Sequence, residues 1–186
     1  MGFANASFGI VGHSSGGPCA LALAAAAGAR CSRVVLVAAD PEYAVASNLA
    51  DPFGGALPPA PAPDAPADEL GLRTERELEM DREGELDGTL RAAIAASQGG
   101  NGPLLDFAVE RRPWGIDLGK LECEVDVLYG SQDPFFTLDH ALFFASSAAE
   151  ARLFPRPGMG HFDIVLDAEA FAFIMSLFEE GMPVDI

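Results

Sequence analysis

An α/β fold is predicted: a parallel sheet of about four strands, flanked by helices and interrupted by one helical insertion. Three observations point to it. Short apolar runs bounded by turn residues alternate with helical segments, the order that gives a parallel sheet. The first three runs are short, β-branched and bounded by turn residues, as expected of parallel strands covered by helices on both faces. One long stretch, from Pro41 to about Arg112, breaks that alternation and reads as an insertion. At 186 residues, 49% of them hydrophobic, the chain has material for one domain with a substantial core.

In order, the strand-like runs are Ser7–Val11, Val34–Ala38, Val125–Tyr129 and Arg152–Phe154. The apolar segment Pro18–Ala27 reads as a helix closing near Gly28. A second helix is expected from about Leu138 to Ala149, with Thr137 as its N-cap. A third runs from Ala168 to Glu180, where Phe171, Ile174, Met175 and Phe178 recur at helical spacing. Right-handed crossovers follow from such a βαβ order. Residues 1–40 then form the first part of the core, 41–112 the insertion, and 113–186 the second part. Within the insertion, Asp51–Asp68 is rich in Pro, Ala and Gly, a composition that favours extended backbone and an expected mobile loop. Asp68–Arg82 is expected as a charged, solvated helix, and Leu86–Ala96 and Leu104–Val109 as short helices. Arg112–Asp117 is expected to lead back to the sheet, with Trp114 packing there.

Eleven basic against 28 acidic residues leave a net charge of −17. Such a surface repels nucleic acid and anionic lipid, so neither is an expected partner. No run approaches the ~18 apolar residues of a membrane span. The first residues carry no basic side chain and run straight into a strand, which argues against a signal peptide as written and favours a cytoplasmic setting. Cys19, Cys31 and Cys123 are scattered, with no Cys-x-x-Cys or His/Cys cluster, so neither a metal nor a cofactor is expected. Cys19 reads as a small buried thiol on the first helix.

The chemistry concentrates in Gly12-His13-Ser14-Ser15-Gly16-Gly17, between the first strand and the first helix. A Gly-x-Ser-x-Gly turn in that context exposes a serine hydroxyl at the tip of a sheet. The outer glycines allow the sharp backbone and a close helix–strand approach. Ser14 is therefore the candidate nucleophile. A nucleophile at Ser15 would need glycine at 13, where His13 stands. The N–H of Ser15, at a helix N-terminus, is the candidate oxyanion donor. A serine hydroxyl needs a base. Of three histidines, His13 on the elbow is expected to diverge from Ser14, and His140 falls on a helix as a surface or helix-face residue. His161, in a glycine-flanked loop after the fourth strand, is the base by elimination and by position. Asp133, beyond the third strand, is the candidate acid that would accept the His161 Nδ1–H, and the chain order Ser…Asp…His agrees. Asp40, just past the second strand, is the competing acid. Asp163 follows His161 too closely to be a comfortable partner.

Three ordered motifs, Gly-His-Ser-Ser-Gly-Gly-Pro at 12–18, Gly-Ser-Gln-Asp-Pro at 130–134 and Gly-Met-Gly-His-Phe at 158–162, resemble the α/β-hydrolase family over nearly the whole chain. The resemblance implies strands five to eight of that fold, with the insertion as its cap. It also implies attack of Ser14 on a small-molecule acyl substrate, with His161 taking the proton and later activating water. Serine at the elbow favours ester, thioester or amide hydrolysis over the dehalogenases and epoxide hydrolases, which attack with aspartate. In the family the elbow follows the fifth of about eight strands, whereas here it follows the first strand, which begins at residue 7. The expectation is a fragment, a truncated gene model or a degenerate copy, or else strands supplied by another chain. The family's second oxyanion N–H comes from a loop without a counterpart here, and the first strand would be an edge bearing Phe8, Ile10 and Val11. The alternative function is a non-catalytic binding or interaction module.

Overall fold

The computed structural model describes residues 7–41, 75, 76, 79 and 114–179. Four strands, β1 (Phe8–His13), β2 (Cys31–Val37), β3 (Glu124–Gly130) and β4 (Ala151–Arg156), form one sheet in the order β1-β2-β3-β4. Every neighbouring pair is parallel. The helices are α1 (Gly16–Ala27), α2 (Leu138–Ser147), the short α3 (Asp163–Leu166) and α4 (Ala168–Glu179). The α/β class expected from the sequence is thus the class observed. β3 and β4 extend beyond the runs that signalled them at both ends, whereas β1 gains residues after Val11 but leaves out Ser7, and β2 gains residues before Val34 but leaves out Ala38.

Alternation along β2 and β3 splits the core in two. Val34, Leu36, Val125 and Val127 face a layer holding Ala20, Leu21 and Ala24 of α1 with Ala141 and Phe144 of α2. Val35, Val37 and Leu128 face Ile164 of α3 with Ile174 and Leu177 of α4. Helices on both faces explain why no polar alternation marks the strands, and Val34 to Val37 are all fully buried. Trp114 is partly buried against the first of these layers, as the re-entry reading expected. Among the described residues β1 pairs on one side only, and its Val11 is 45% exposed.

Two helices present a different face from the one their spacing suggested. In α1 the buried residues are Gly17, Ala20, Leu21 and Ala24, so Cys19 points outward and is exposed rather than buried. That helix is apolar all round, and periodicity could not choose its inner side. In α4 the sheet side is Ala170, Ile174 and Leu177, while Phe171 and Met175 stay about half exposed. His140 is also corrected: it is 2% exposed, accepts the Thr137 backbone N–H at Nδ1 (3.0 Å) and stacks on Phe136, so it closes the start of α2 from within. Of the insertion, Glu75, Arg76 and Glu79 are helical and exposed, and Arg76 pairs with Asp167 at the junction of α3 and α4. The expected mobile loop and the two short helices lie outside the described residues.

Candidate active site

β1 ends at His13 and α1 begins at Gly16, leaving two residues to reverse the chain. Ser14 takes that reversal at φ +52°, a left-handed conformation rare for a residue with a Cβ. Its peptide groups are held from below. The Ser14 N–H donates to the Val37 carbonyl (3.0 Å), and its own carbonyl accepts from Gly17 (2.9 Å) and Asp40 (3.3 Å). The crowding behind this turn falls on Gly12 and Gly17. A Cβ on Gly12 would sit 2.7 Å from Ala20 Cβ and 2.8 Å from the Gly16 carbonyl, and one on Gly17 would sit 2.5 Å from Ala39 Cβ. Of the two outer glycines expected to allow the close approach, Gly12 is the crowded one, and Gly16 has nothing within 4 Å of that position. The Ser15 N–H, at the head of α1, has no backbone acceptor among the described residues and remains available to a ligand oxygen.

Beyond the carboxyl ends of β3 and β4, the loops carrying Asp133 and His161 meet. His161 Nδ1 and Asp133 Oδ2 are 2.8 Å apart, and both side chains are buried. The other carboxylate oxygen, Oδ1, accepts the backbone N–H groups of Phe135 (2.8 Å) and Phe136 (3.0 Å), which fixes the carboxylate plane. A carboxylate in this place gives Nδ1 the proton and leaves Nε2 with a lone pair, the state in which an imidazole can take a proton. Phe135 and Phe162 set their rings edge-on to His161, at centroid distances of 5.3 and 5.1 Å. Gly130 lets the two loops close up, because a Cβ there would collide with the Met159 carbonyl. Asp163 accepts the Gly160 N–H through Oδ2 at 2.9 Å.

Asp40 stands close to the pair without holding Nδ1, which is bonded to Asp133. Burial pushes its carboxyl from 3.8 up to about 6. The Asp133 charge adds to the rise and the His161 charge opposes it. The folded protein therefore holds a proton on Asp40 that the unfolded chain has lost by pH 6. That costs stability progressively as pH rises from about 4 to about 6. Asp40→Asn should be more stable than the parent by on the order of 1–2 kcal/mol above pH 6, allowing for the side chain's partial exposure, and equal to it near pH 4. Urea unfolding across this range tests the sign, and a difference that is constant with pH would refute it.

His13, expected only to diverge from Ser14, turns toward the loop that carries His161. Its Nε2 lies 3.0 Å from the His161 carbonyl oxygen, and the two rings are 4.8 Å apart. Burial, helped by the neighbouring His161, lowers His13 from 6.5 to about 4. No periodicity or motif in the sequence signals a contact across 148 residues of chain.

The sequence comparisons agree with this geometry in part. The family profile described as alpha/beta hydrolase fold matches residues 4–86. No curated protein matches the sequence. Solved structures align over nearly all of it, including the half that carries Asp133 and His161. This chain has the α/β-hydrolase fold. Similar hydrolases include Est816, described as an N-acyl homoserine lactone degrading enzyme, at 20% identity and a TM-score of 0.61, covering 94% of this chain and 68% of that one. The enol-lactonase from Burkholderia xenovorans LB400 aligns at 20% identity and a TM-score of 0.65, over 95% of this chain and 66% of its own. The 2-hydroxy-6-oxo-6-phenylhexa-2,4-dienoate hydrolase from Rhodococcus sp. strain RHA1 aligns at 22% identity and 0.59, over 95% and 66%. The chain therefore spans about two thirds of the length of these hydrolases. Among the described residues no helix is long and apolar enough to cross a membrane.

Proposed function

We propose that this α/β-hydrolase-fold chain is a serine hydrolase that cleaves a carboxylic ester or related acyl bond through Ser14, His161 and Asp133. The observation that carries the reading is the buried Asp133–His161 hydrogen bond, formed at the same end of the sheet as the strained Ser14 turn. In this reading Ser14 Oγ attacks the acyl carbon as its proton passes to His161 Nε2. The carbonyl oxygen becomes an oxyanion that accepts from the Ser15 N–H, an interaction whose loss typically costs ~10²–10³ in rate. Asp133 stabilises the imidazolium. The protonated histidine then hands its proton to the leaving oxygen, and an acyl group stays on Ser14. Water, deprotonated by the same Nε2, attacks that ester and frees the acid. Two of the similar structures have names that specify lactones, so cyclic esters belong among the first substrates to try.

A fluorophosphonate probe should label the protein at Ser14 and leave Ser14→Ala unlabelled, read by intact mass and peptide mapping. Labelling that survives the substitution would sink the assignment. A stable protein that neither labels nor hydrolyses p-nitrophenyl or lactone esters would favour the non-catalytic binding module instead.

A further inference from the structure

Proton transfer between Ser14 and His161 depends on how far apart two loops from opposite parts of the chain are held. The loop bearing His161 is anchored mostly on the β3 side. Gly158 N–H donates to Ser131 Oγ (2.8 Å), Gln132 N–H donates to the Met159 carbonyl (2.9 Å), and the ring itself is tied to Asp133. None of these bonds reaches β1, which carries the elbow. Among the described residues, the hydrogen bond that does so comes from His13, the last residue of β1 and the one before Ser14.

A carbonyl oxygen can only accept, so His13 Nε2 must carry the hydrogen in this bond. With its ring largely withdrawn from water and pressed against His161, His13 stays uncharged at neutral pH. It therefore donates to the loop without setting a second positive charge against the imidazolium that forms during acyl transfer.

We infer that His13 is a positioning residue: its Nε2–H holds the His161 carbonyl to the end of the nucleophile strand and so sets the separation of Ser14 and His161. The inference rests on the serine-hydrolase reading for its catalytic consequence and on the hydrogen bond for its structural one. Misplacing a reacting group by about 1 Å can cost ~10²-fold in rate. A one-bond tether between nucleophile strand and base loop is where such a displacement would start.

Two substitutions separate the roles. His13→Gln keeps an amide N–H at nearly the same reach, and His13→Leu keeps the bulk without a donor. With a p-nitrophenyl ester, His13→Leu should lower kcat by about 10- to 100-fold with KM within about threefold, and fluorophosphonate labelling of Ser14 should slow in parallel. His13→Gln should recover most of both. Equal kinetics in the Leu variant and the parent would overturn the inference, as would a folded Gln variant that is as impaired as Leu. Ring ¹⁵N spectra give a readout independent of turnover. The His161 signals should shift or broaden in the Leu variant and return in the Gln variant, and unmoved signals would overturn the tether. A parent that never labels at Ser14 but shows this pattern would remove the hydrolase reading and leave the tether standing.

Discussion

Asp133→Asn is expected to keep its fold and lose about 10⁴-fold in kcat. The fold survives because the asparagine carbonyl oxygen can still accept from the Phe135 and Phe136 N–H groups. The loss comes from the other half of the side chain. An amide NH₂ facing His161 Nδ1 needs a lone pair there, so the ring's proton moves to Nε2, the atom that receives the proton of Ser14 in the proposed mechanism. Asp40→Asn should stay within a few-fold of the parent, since the Nδ1 bond does not go to Asp40. Initial rates on a p-nitrophenyl ester, with thermal unfolding as the control for folding, decide between them. The reverse ranking would transfer the acid to Asp40.

The second large effect concerns stability. Asp126 in β3 is fully buried among the strands, between two arginines. Its Oδ2 accepts from Arg33 Nη1 on β2 (2.6 Å) and from Arg152 Nη2 on β4 (3.0 Å), and its Oδ1 accepts from Arg152 Nε (2.7 Å). Glu124 adds a second, half-exposed carboxylate on Arg33 at 2.6 Å. Two cations and two anions thus cross three strands with their charges balanced. Asp126→Ala should destabilise the protein by about 3–5 kcal/mol, because it leaves the buried Arg33 guanidinium short of a partner. Glu124→Gln should cost less than about 1 kcal/mol, because Glu124 is half exposed to water and Arg33 keeps Asp126 as its buried partner. Urea midpoints for the two variants check the contrast. Similar losses would mean that the network shares its load evenly instead of resting on Asp126.

This charge ladder shows where sequence reading stops. Arg33 and Asp126 stand inside apolar runs, and nothing local says that a carboxylate in one strand will meet guanidiniums from both neighbours. The strands themselves were legible because both faces of the sheet are covered and the runs are mostly apolar, with Asp126 and Arg152 as the exceptions. The elbow was legible because small residues cluster between a strand and a helix. Asp133 and His161 followed from their places after β3 and β4, where a parallel sheet gathers its loops. Side-chain directions were less readable. Cys19 and Phe171 lie on helices with apolar residues on several sides, where spacing leaves the inward face undetermined. His140 needed the conformation of Thr137 to show its purpose, and His13 needed the whole sheet.

The backbone of Ser14 carries one more consequence. At φ +52° a side chain is tolerated only at a cost of about 1–3 kcal/mol, whereas glycine would sit there almost freely. Thermostability alone would therefore prefer no side chain at position 14. If Ser14 is the nucleophile proposed above, this part of the chain trades durability for reactivity.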